Sequence, residues 1–404
     1  MTALLINDVC AAAAAFAGVT ALGKLVYDLT GSKLDLGLLG LVEFAPAALL
    51  VLVTGAVADR HDRRVVAAIG SLGEAVVAVL LAVHVGQHPD GIAVILGLVL
   101  VFGIARSFVA PASRALPVNV VAPEHLPWLI PRYSAMWQAA LIVGPVIGGS
   151  TYALDPRYPF YAMATLAVLA AISVMFVQVL PSTAAPAEPR GGLHDALEGL
   201  RFIRNQPVLL GAISLDLFAV LFGGAVALLP AIATDRLHVG AVGFGWLRAA
   251  GGIGAAVTTI ALARRPLKRH VGRVLLLVVA LFGVCTIVLG ATTSYAVAFL
   301  AMAALSGADA VSVFIRATLV PLATPDDRRG RVGAVENVFI GASNELGAFE
   351  SGVAGQALGT MGAVVLGGVA TIAVAVAWWR WFPALRDVDA FPTRADVDTV
   401  RPMP

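Results

Sequence analysis

The sequence has few charged residues, few lysines and few cysteines. Charged residues make up 13% of the 404 residues, whereas hydrophobic residues make up 59%. An ordinary soluble domain has about 25% charged residues, so this composition excludes a water-soluble globular protein. The net charge of +2 gives no indication of nucleic-acid binding. Cys10 and Cys285 lie in apolar stretches and predict neither a disulfide framework nor a zinc cluster.

The sequence also lacks the motifs of ATP-driven transport and of hydrolytic enzymes. It contains no G-x-x-x-x-G-K-[ST] segment and no Ser/His/Asp arrangement that supports catalysis. His84 and His88 have the i,i+4 spacing that zinc ligands can have, but no third ligand accompanies them. We therefore expect no enzyme activity, no metal and no cofactor.

What the sequence has in abundance is long apolar stretches. A membrane-spanning helix needs about 20 apolar residues, with every backbone group bonded inside the span. Twelve stretches qualify: 4–27, 37–58, 65–85, 92–112, 132–154, 158–180, 207–233, 243–263, 271–290, 294–320, 332–356 and 359–380. The first lacks a basic segment before it and is interpreted as a retained span rather than a signal peptide. The sequence predicts an all-α integral membrane protein with twelve transmembrane helices in two pseudo-symmetric six-helix bundles.

The distribution of lysine and arginine predicts the orientation in the membrane. One alternating set of loops, together with the C-terminal tail, holds 20 of these residues, and the opposite loops hold 3. Basic loops stay on the cytoplasmic side. Both termini and the long central connection are therefore predicted to be cytoplasmic, in the inner membrane of a bacterium.

The two halves of the chain resemble each other. A Pro- and Ala-rich connection at 182–206, which ends in an amphipathic helix, divides residues 1–181 from 207–380, and a cytoplasmic tail follows at 381–404. Arg114-Ala115 reappears 202 residues later as Arg316-Ala317. Ala58-Asp59-Arg60 corresponds at an offset of 205 to Ala263-Arg264-Arg265. Such internal similarity is typical of duplicated transporters with a site between the repeats, although a duplicated structural membrane protein would show it too.

A charged motif follows the second span. The segment from Gly55 reads GAVADRHDRR, in which Gly55 permits close helix approach and Asp59 is placed to cap a neighbouring helix. The basic residues of the motif, which are available to bridge to acids or lipid phosphates, are Arg60, Arg63 and Arg64. A plain basic cytoplasmic loop explains these arginines, but not the glycine with the aspartate. The motif resembles the G-x-x-x-D-R-x-G-R-R signature of the major facilitator superfamily, which implies a gating contact with the eleventh helix. Asp62 departs from that signature, and in the second half Arg264 replaces the acid.

The fifth span carries a second motif. Proline kinks a membrane helix and glycines let a partner helix approach, and both occur here in Gly144, Pro145, Gly148 and Gly149. An ordinary kinked packing face is the simpler interpretation. The segment resembles the G-P-x-x-G-G motif of the superfamily's antiporters, which favours export over import.

Four further segments resemble one bacterial branch of that superfamily. They are Tyr27–Ser32, Phe202–Leu210, Leu215–Gly224 and Ser343–Gly352. The branch includes enterobactin exporters and drug:proton antiporters of the macrolide-efflux type. The resemblance covers nearly the whole chain and implies proton-driven efflux.

Charged residues inside spans are the candidate functional residues, because each costs about 2.5–3.5 kcal/mol at the centre of a membrane helix. Asp216, Glu345 and Asp309 are the proton-coupling candidates, whereas Asp8 and Glu74 are weaker ones. Arg316 lies seven residues after Asp309, on the same helix face and about 10 Å away, where it is able to hold that acid ionised. For any single acid a structural ion pair is an equally good explanation.

Other polar residues are predicted to line a substrate cavity. These are Arg106, Arg316, Glu43, Arg248 and Asn344, with Glu43 and Arg248 at matching places in the second and eighth spans as a gate pair. Together the residues predict a monomeric exporter of a small organic solute by proton antiport with alternating access, whose partners are the solute, protons and the lipid bilayer. A proton-coupled importer and a non-transporting sensor or scaffold of the same fold are the alternatives.

Overall fold

The computed structural model of the protein describes residues 1–179 and 193–392, except for the side chains of residues 52, 59, 118, 123 and 193–196. All regular secondary structure within these ranges is helical. In the first half the helices are α1 (Thr2–Thr30), α2 (Lys33–Arg60), α3 (Arg63–Val85), α4 (Ala93–Val120), α5 (Leu126–Leu154) and α6 (Tyr158–Met175). They are followed by α7 (Leu193–Arg204), α8 (Pro207–Phe222), a short α9 (Leu229–Ala231), α10 (Ala241–Arg264), α11 (Val271–Ala291), α12 (Tyr295–Leu322), α13 (Arg329–Trp381) and α14 (Pro383–Arg386).

Ten segments of the described chain are long and apolar enough to span a membrane. One of them, α13, has 53 residues and is interrupted at Gly359, where φ is 75° and ψ is 163°, so it covers the eleventh and twelfth predicted spans. Glycine suits that break because it adopts positive φ without strain. The 29-residue α5, which contains Pro131 and Pro145, matches the fifth predicted span but is not among the ten. The all-α membrane fold class is confirmed.

The seventh predicted span differs from the expectation of one continuous helix over 207–233. The α8 helix ends at Phe222, and the chain continues as a 3-10 turn over Ala225–Leu228 and a π turn over Ile232–Arg236. The break is a place of tight packing. A Cβ at Gly224 would lie 2.6 Å from Ser351 Oγ, so this backbone runs directly against α13. The sixth span is also shorter than predicted, since its helix ends at Met175.

By their internal contacts the residues form two compact units. Unit 1 comprises Met1–Pro186 with Leu229–Gly252, and unit 2 comprises Ala187–Leu228 with Ile253–Pro404. The boundary within the seventh span therefore falls directly after its 3-10 turn. The domain limits predicted from the sequence stay a prediction.

Small residues hold unit 1 together around α1. A Cβ at Gly148 would lie 2.6 Å from the carbonyl oxygen of Ala17, and a Cβ at Gly18 would lie 2.6 Å from Met163 Sδ. The four consecutive alanines of α1, from Ala12 to Ala15, are buried, so α1 is enclosed on all sides there. Because association in a membrane depends on close van der Waals packing, small residues at these contacts let α5 and α6 approach α1.

Unit 2 has a corresponding close contact between α11 and α13. Cβ atoms at Gly283 and Gly368 would each lie 2.7 Å from the carbonyl oxygen of the other glycine. A buried apolar cluster that includes Leu215, Leu275, Ile315 and Trp378 joins α8, α11, α12 and α13. These packed helices position the charged residues of the unit.

Candidate functional site

A buried ion pair lies at the centre of unit 2. Arg316 Nη2 lies 2.7 Å from Asp216 Oδ1, with side-chain exposures of 5% and 7%. Arg316 Nε also donates to Ser312 Oγ at 3.4 Å, one turn earlier on α12. Two charges buried this deeply require each other, because either one alone costs several kcal/mol.

Two further carboxylates surround this pair. Asp309, on α12, and Glu336, near the start of α13, both interact electrostatically with Asp216 and with Arg316. Three carboxylates and one guanidinium therefore lie within electrostatic range of one another, with Asp216 in direct contact with Arg316. We call Asp216, Asp309, Arg316 and Glu336 the unit 2 cluster.

The direct partner of Arg316 lies on another helix, which the sequence did not identify. Seven residues place Asp309 and Arg316 on one face of α12, but the guanidinium contacts Asp216 of α8, and Asp309 interacts with it at longer range. The physical reason is reach, because a long side chain crosses to a neighbouring helix more easily than it travels two turns along its own. Glu336, which the sequence analysis did not select as a candidate, belongs to the same cluster.

A second group of charges lies in unit 1. Glu43, on α2, interacts electrostatically with Arg106 of α4 and with Arg248 of α10. The structure therefore brings together the two residues predicted as a gate pair, while their role as a gate stays a prediction. Glu74 of α3 is 3% exposed and interacts with Arg106 and Glu43. We call Glu43, Glu74, Arg106 and Arg248 the unit 1 cluster, in which two acids face two arginines.

The polar residues of the eleventh span lie elsewhere on α13. Asn344 is exposed, and its Nδ2 donates to the carbonyl of Ile340 at 2.8 Å on its own helix. Glu345 is half-buried. The two roles proposed for them, substrate contact and proton coupling, stay predictions.

The loop between α2 and α3 shows how Asp62 replaces the expected glycine. Asp62 accepts a hydrogen bond from the backbone N–H of Arg64 at 2.9 Å and is the N-cap of α3, with φ −59°. Aspartate is a preferred N-cap residue, and no glycine conformation is needed. The Arg64 guanidinium lowers the pKa of Asp62 through a side-chain hydrogen bond.

The other residues of this motif have separate surroundings. Arg63 Nε donates to the carbonyl of Ala58 at 3.4 Å, and Arg60 is exposed. A Cβ at Gly55 would meet no atom within 4 Å, so the close helix approach expected there is not present. The side chain of Asp59 lies outside the described part of the structure, and its gating role stays a prediction.

The Gly-Pro motif of α5 packs tightly on two sides. A Cβ at Gly144 would lie 2.6 Å from Phe16 Cβ, so this glycine, like Gly148, faces α1. A Cβ at Gly149 would lie 2.8 Å from the Cα of Gly245, at the start of α10. Both contacts lie within unit 1 and fit close packing at a kink. An antiport function of the motif stays a prediction.

Two polar contacts of unit 1 were missed or underweighted from the sequence. Asp8 is 6% exposed and hydrogen-bonds to Tyr133, while its Oδ2 has no partner among the described residues. The Tyr27 hydroxyl donates to Asp235 Oδ2 at 2.5 Å, and Lys33 Nζ lies 3.6 Å from the same oxygen. For the Tyr27–Asp235 contact the sequence offers one signal, a tyrosine at the end of a span. That signal does not specify a partner 208 residues away.

These apolar helices define a multi-pass membrane protein, and the two groups of charges inside them are features of a transporter. The sequence profile described as Major Facilitator Superfamily matches residues 4–335. The chain belongs to the Major Facilitator Superfamily.

Comparison with individual proteins agrees with this family. The chain is 28% identical over 251 residues to the MFS-type transporter YfiS of Bacillus subtilis, a match that covers 60% of this chain and 58% of that one. It is 26% identical over 330 residues to the enterobactin exporter EntS of Escherichia coli O1:K1, covering 78% of each chain. A mutant of the nucleoside transporter NupG has the same fold, with a TM-score of 0.73, 12% identity and coverage of 94% of this chain and 98% of that one. The expectation of a membrane transporter that is not an enzyme is confirmed.

Proposed function

We propose that this transporter exports a small organic solute in exchange for protons, by alternating access. The observation that carries the proposal is the unit 2 cluster, in which Asp216, Asp309 and Glu336 share the single guanidinium of Arg316. With all three acids ionised the cluster has a net charge of −2 in a poorly solvated place, which binding of a proton relieves.

Asp309 is the carboxylate that we assign to proton binding. Asp216 is paired directly with Arg316 at 2.7 Å. Asp309 interacts electrostatically with both members of that pair, so we assign the proton to it rather than to the directly paired Asp216. The proton gradient then supplies the driving force, without a cofactor.

One relative supports export. The relative EntS is named an enterobactin exporter, and it matches 78% of this chain. We propose a solute of the siderophore or amphiphilic drug class. The arginines of the unit 1 cluster, Arg106 and Arg248, are suited to a polar or anionic group on it.

The location and assembly follow from the same proposal. We place the protein as a monomer in the bacterial inner membrane, with both termini in the cytoplasm, because the basic residues concentrate in one set of loops. Cysteine labelling of Gly330 and Gly91 variants in intact and permeabilised cells tests this, since the first position is expected to be labelled only after permeabilisation.

Proton coupling is tested in proteoliposomes that contain a lumenal pH dye. Enterobactin and, separately, ethidium are added outside, and the lumenal pH is followed. Antiport makes the lumen more alkaline as the solute enters, whichever way the protein is inserted. Symport makes the lumen more acidic and would replace export with the importer alternative. If the lumenal pH did not change and neither enterobactin nor ethidium moved, the proposed transport of siderophores and amphiphilic drugs would be contradicted.

A variant pair assigns the effect to Asp309. Asp309→Asn is expected to abolish the pH change while solute exchange between equal pools continues. The matched control is Asp327→Asn, which alters a carboxylate that is 72% exposed and pairs with Arg328 in a loop of the same unit. If Asp309→Asn moved protons as the parent does, the assignment of the proton site would be wrong.

A further inference from the structure

Arg64 of unit 1 ties the start of α3 to the chain that leaves α6. Its Nη2 lies 2.6 Å from Asp62 Oδ2, and its Nη1 donates to the carbonyl of Val177 at 2.9 Å. Val177 lies two residues after the end of α6 and is 1% exposed. One arginine therefore joins two helix ends through a carboxylate and a carbonyl.

The corresponding arginine of the second half has no acid in its own loop. The 205-residue offset between the halves pairs Arg64 with Arg269 and Asp62 with Leu267. Arg269 Nε nevertheless lies 3.3 Å from a carboxylate oxygen, Asp389 Oδ2. Asp389 belongs to the chain that follows α13. In both halves the arginine therefore contacts the segment that leaves the last helix of that half.

The same tail segment caps the first turn of α11. His270, directly before α11, has φ 59° and no side-chain capping bond. Its backbone N–H donates to Asp389 Oδ1 at 3.1 Å, and those of Val271 and Gly272 donate to the carbonyls of Asp389 and Val388 at 3.2 and 2.9 Å. These N–H groups have no acceptor inside the helix, so the tail supplies what an N-cap supplies elsewhere.

The charge state of Asp389 fits this capping role. The backbone N–H of His270, together with the side-chain hydrogen bond from Arg269, lowers the pKa of Asp389. Arg64 lowers the pKa of Asp62 in unit 1 in the same direction. Both carboxylates are therefore ionised at neutral pH. Each lies at the N-terminus of a helix, where a negative charge interacts favourably with the helix dipole.

Apolar contacts hold the rest of the segment in place. Leu385 is fully buried in the cluster that contains Val271 and Leu275 of α11. The Phe391 ring packs edge-on against Phe314, with 6.1 Å between ring centres. Phe314 lies on α12 between Asp309 and Arg316, so the tail contacts the helix that carries two members of the unit 2 cluster.

We propose that residues 385–391 form a positioning strap, which supplies to the second half the carboxylate that the first half carries in its own loop. Asp389 is its positioning residue. It holds the start of α11, and through Phe391 the strap keeps α12 in register, which sets the turnover of transport. The effect of the strap on turnover rests on the proposed function, whereas its docking on α11 does not.

Hydrogen exchange of the purified full-length protein in detergent tests the docking. In Asp389→Ala the amide of His270, which loses its side-chain acceptor, is expected to exchange roughly fivefold faster, the effect of losing one ordinary hydrogen bond. The amides of Val271 and Gly272, whose acceptors are backbone carbonyls of the strap, are expected to exchange faster as the strap loosens. Asp389→Glu is expected to restore part of the protection, because it keeps an acceptor for the His270 N–H. Asp327→Asn is the matched control. Unchanged exchange in Asp389→Ala would overturn the strap.

Transport kinetics test the effect on turnover. In proteoliposomes, the maximal rate of ethidium or enterobactin movement in Asp389→Ala is expected to fall roughly fivefold with KM unchanged, and Asp389→Glu is expected to recover it. Faster amide exchange with an unchanged maximal rate would overturn the positioning role. If the parent protein moved neither probe, the proposed function would fail at that point, and hydrogen exchange alone would decide for or against the strap.

Discussion

Arg316 of α12 lies 2.7 Å from Asp216 of α8, and both side chains are more than nine-tenths buried. Removing one partner of a buried ion pair leaves an uncompensated charge, at a cost of about 3–5 kcal/mol. Arg316→Met also leaves Asp309 and Glu336 without their shared cation. We therefore expect this variant to lower the free energy of unfolding by about that amount, as measured by denaturant titration of the protein in detergent micelles.

Two further variants separate this effect from a general loss of arginine. The double variant Asp216→Leu with Arg316→Met replaces the pair by apolar groups and is expected to recover much of the stability. Arg328→Met removes an arginine whose ion pair with Asp327 is exposed, and its effect is expected to stay within about 0.5 kcal/mol. An Arg316→Met protein as stable as the parent would show that the ion pair does not stabilise unit 2.

The helices of this fold were predictable, but their partners were not. The chain has stretches of about 20 apolar residues that are separated by basic loops. Such stretches form membrane helices, because lipid cannot form hydrogen bonds with an exposed backbone. The break at Gly223 and Gly224 lies inside an apolar span, and the pair of glycines is the local signal for it. The contact of Gly224 with α13 is not encoded by any local pattern.

The candidate site was predictable in its residue types and not in its geometry. The rarity of charge inside spans was enough to select Asp216, Asp309 and Arg316. Helix periodicity relates residues of one helix only, so it placed Arg316 and Asp309 on one face, about 10 Å apart. It could not find Asp216, which lies 100 residues earlier. Glu74 ranked as a weaker candidate in the sequence, yet it interacts electrostatically with Arg106 and Glu43.

The pH dependence of transport is expected to come from Asp309 and not from the loops. Arg64 lowers the pKa of Asp62, and Arg157 lowers the pKa of Asp155 to about 2. A carboxylate whose pKa is lowered in the folded protein stabilises the fold in its ionised form. This stabilisation is present above the ordinary pKa of the carboxylate and is lost only as the pH falls through the lowered pKa. Both loop carboxylates therefore keep their charge between about pH 5.5 and 8.

The measurement is the initial rate of solute movement across that pH range without a gradient. We expect the parent rate to change with pH, because protonation of Asp309 is part of the cycle, and the Asp309→Asn rate to be flat. Asp155→Asn serves as the loop control and is expected to follow the parent. A pH profile that Asp309→Asn left intact would assign proton binding to another residue.

The glycines of α5 are expected to be required for packing. A Cβ at Gly148 would lie 2.6 Å from the backbone carbonyl of Ala17, an atom that cannot move without shifting α1. Gly148→Ala is therefore expected to lower the free energy of unfolding by about 1–3 kcal/mol, the usual cost of overpacking. Gly97→Ala is the matched control, because a Cβ there would meet no atom within 4 Å. Equal stability of the two variants would contradict close packing of α1 and α5.

The C-terminal end of the seventh span is expected to depend on Tyr27. The Tyr27 hydroxyl donates to Asp235 at 2.5 Å, which fastens the π turn Ile232–Arg236 to the end of α1. Tyr27→Phe removes this bond, which is partly solvated, at a cost of about 1 kcal/mol. Amides of residues 229–236 are then expected to exchange several-fold faster, while those in the middle of α1 are unchanged. Tyr158→Phe, at a side chain that is 46% exposed, is the control, and equal exchange of 229–236 in both variants would mean that Tyr27 does not hold the turn.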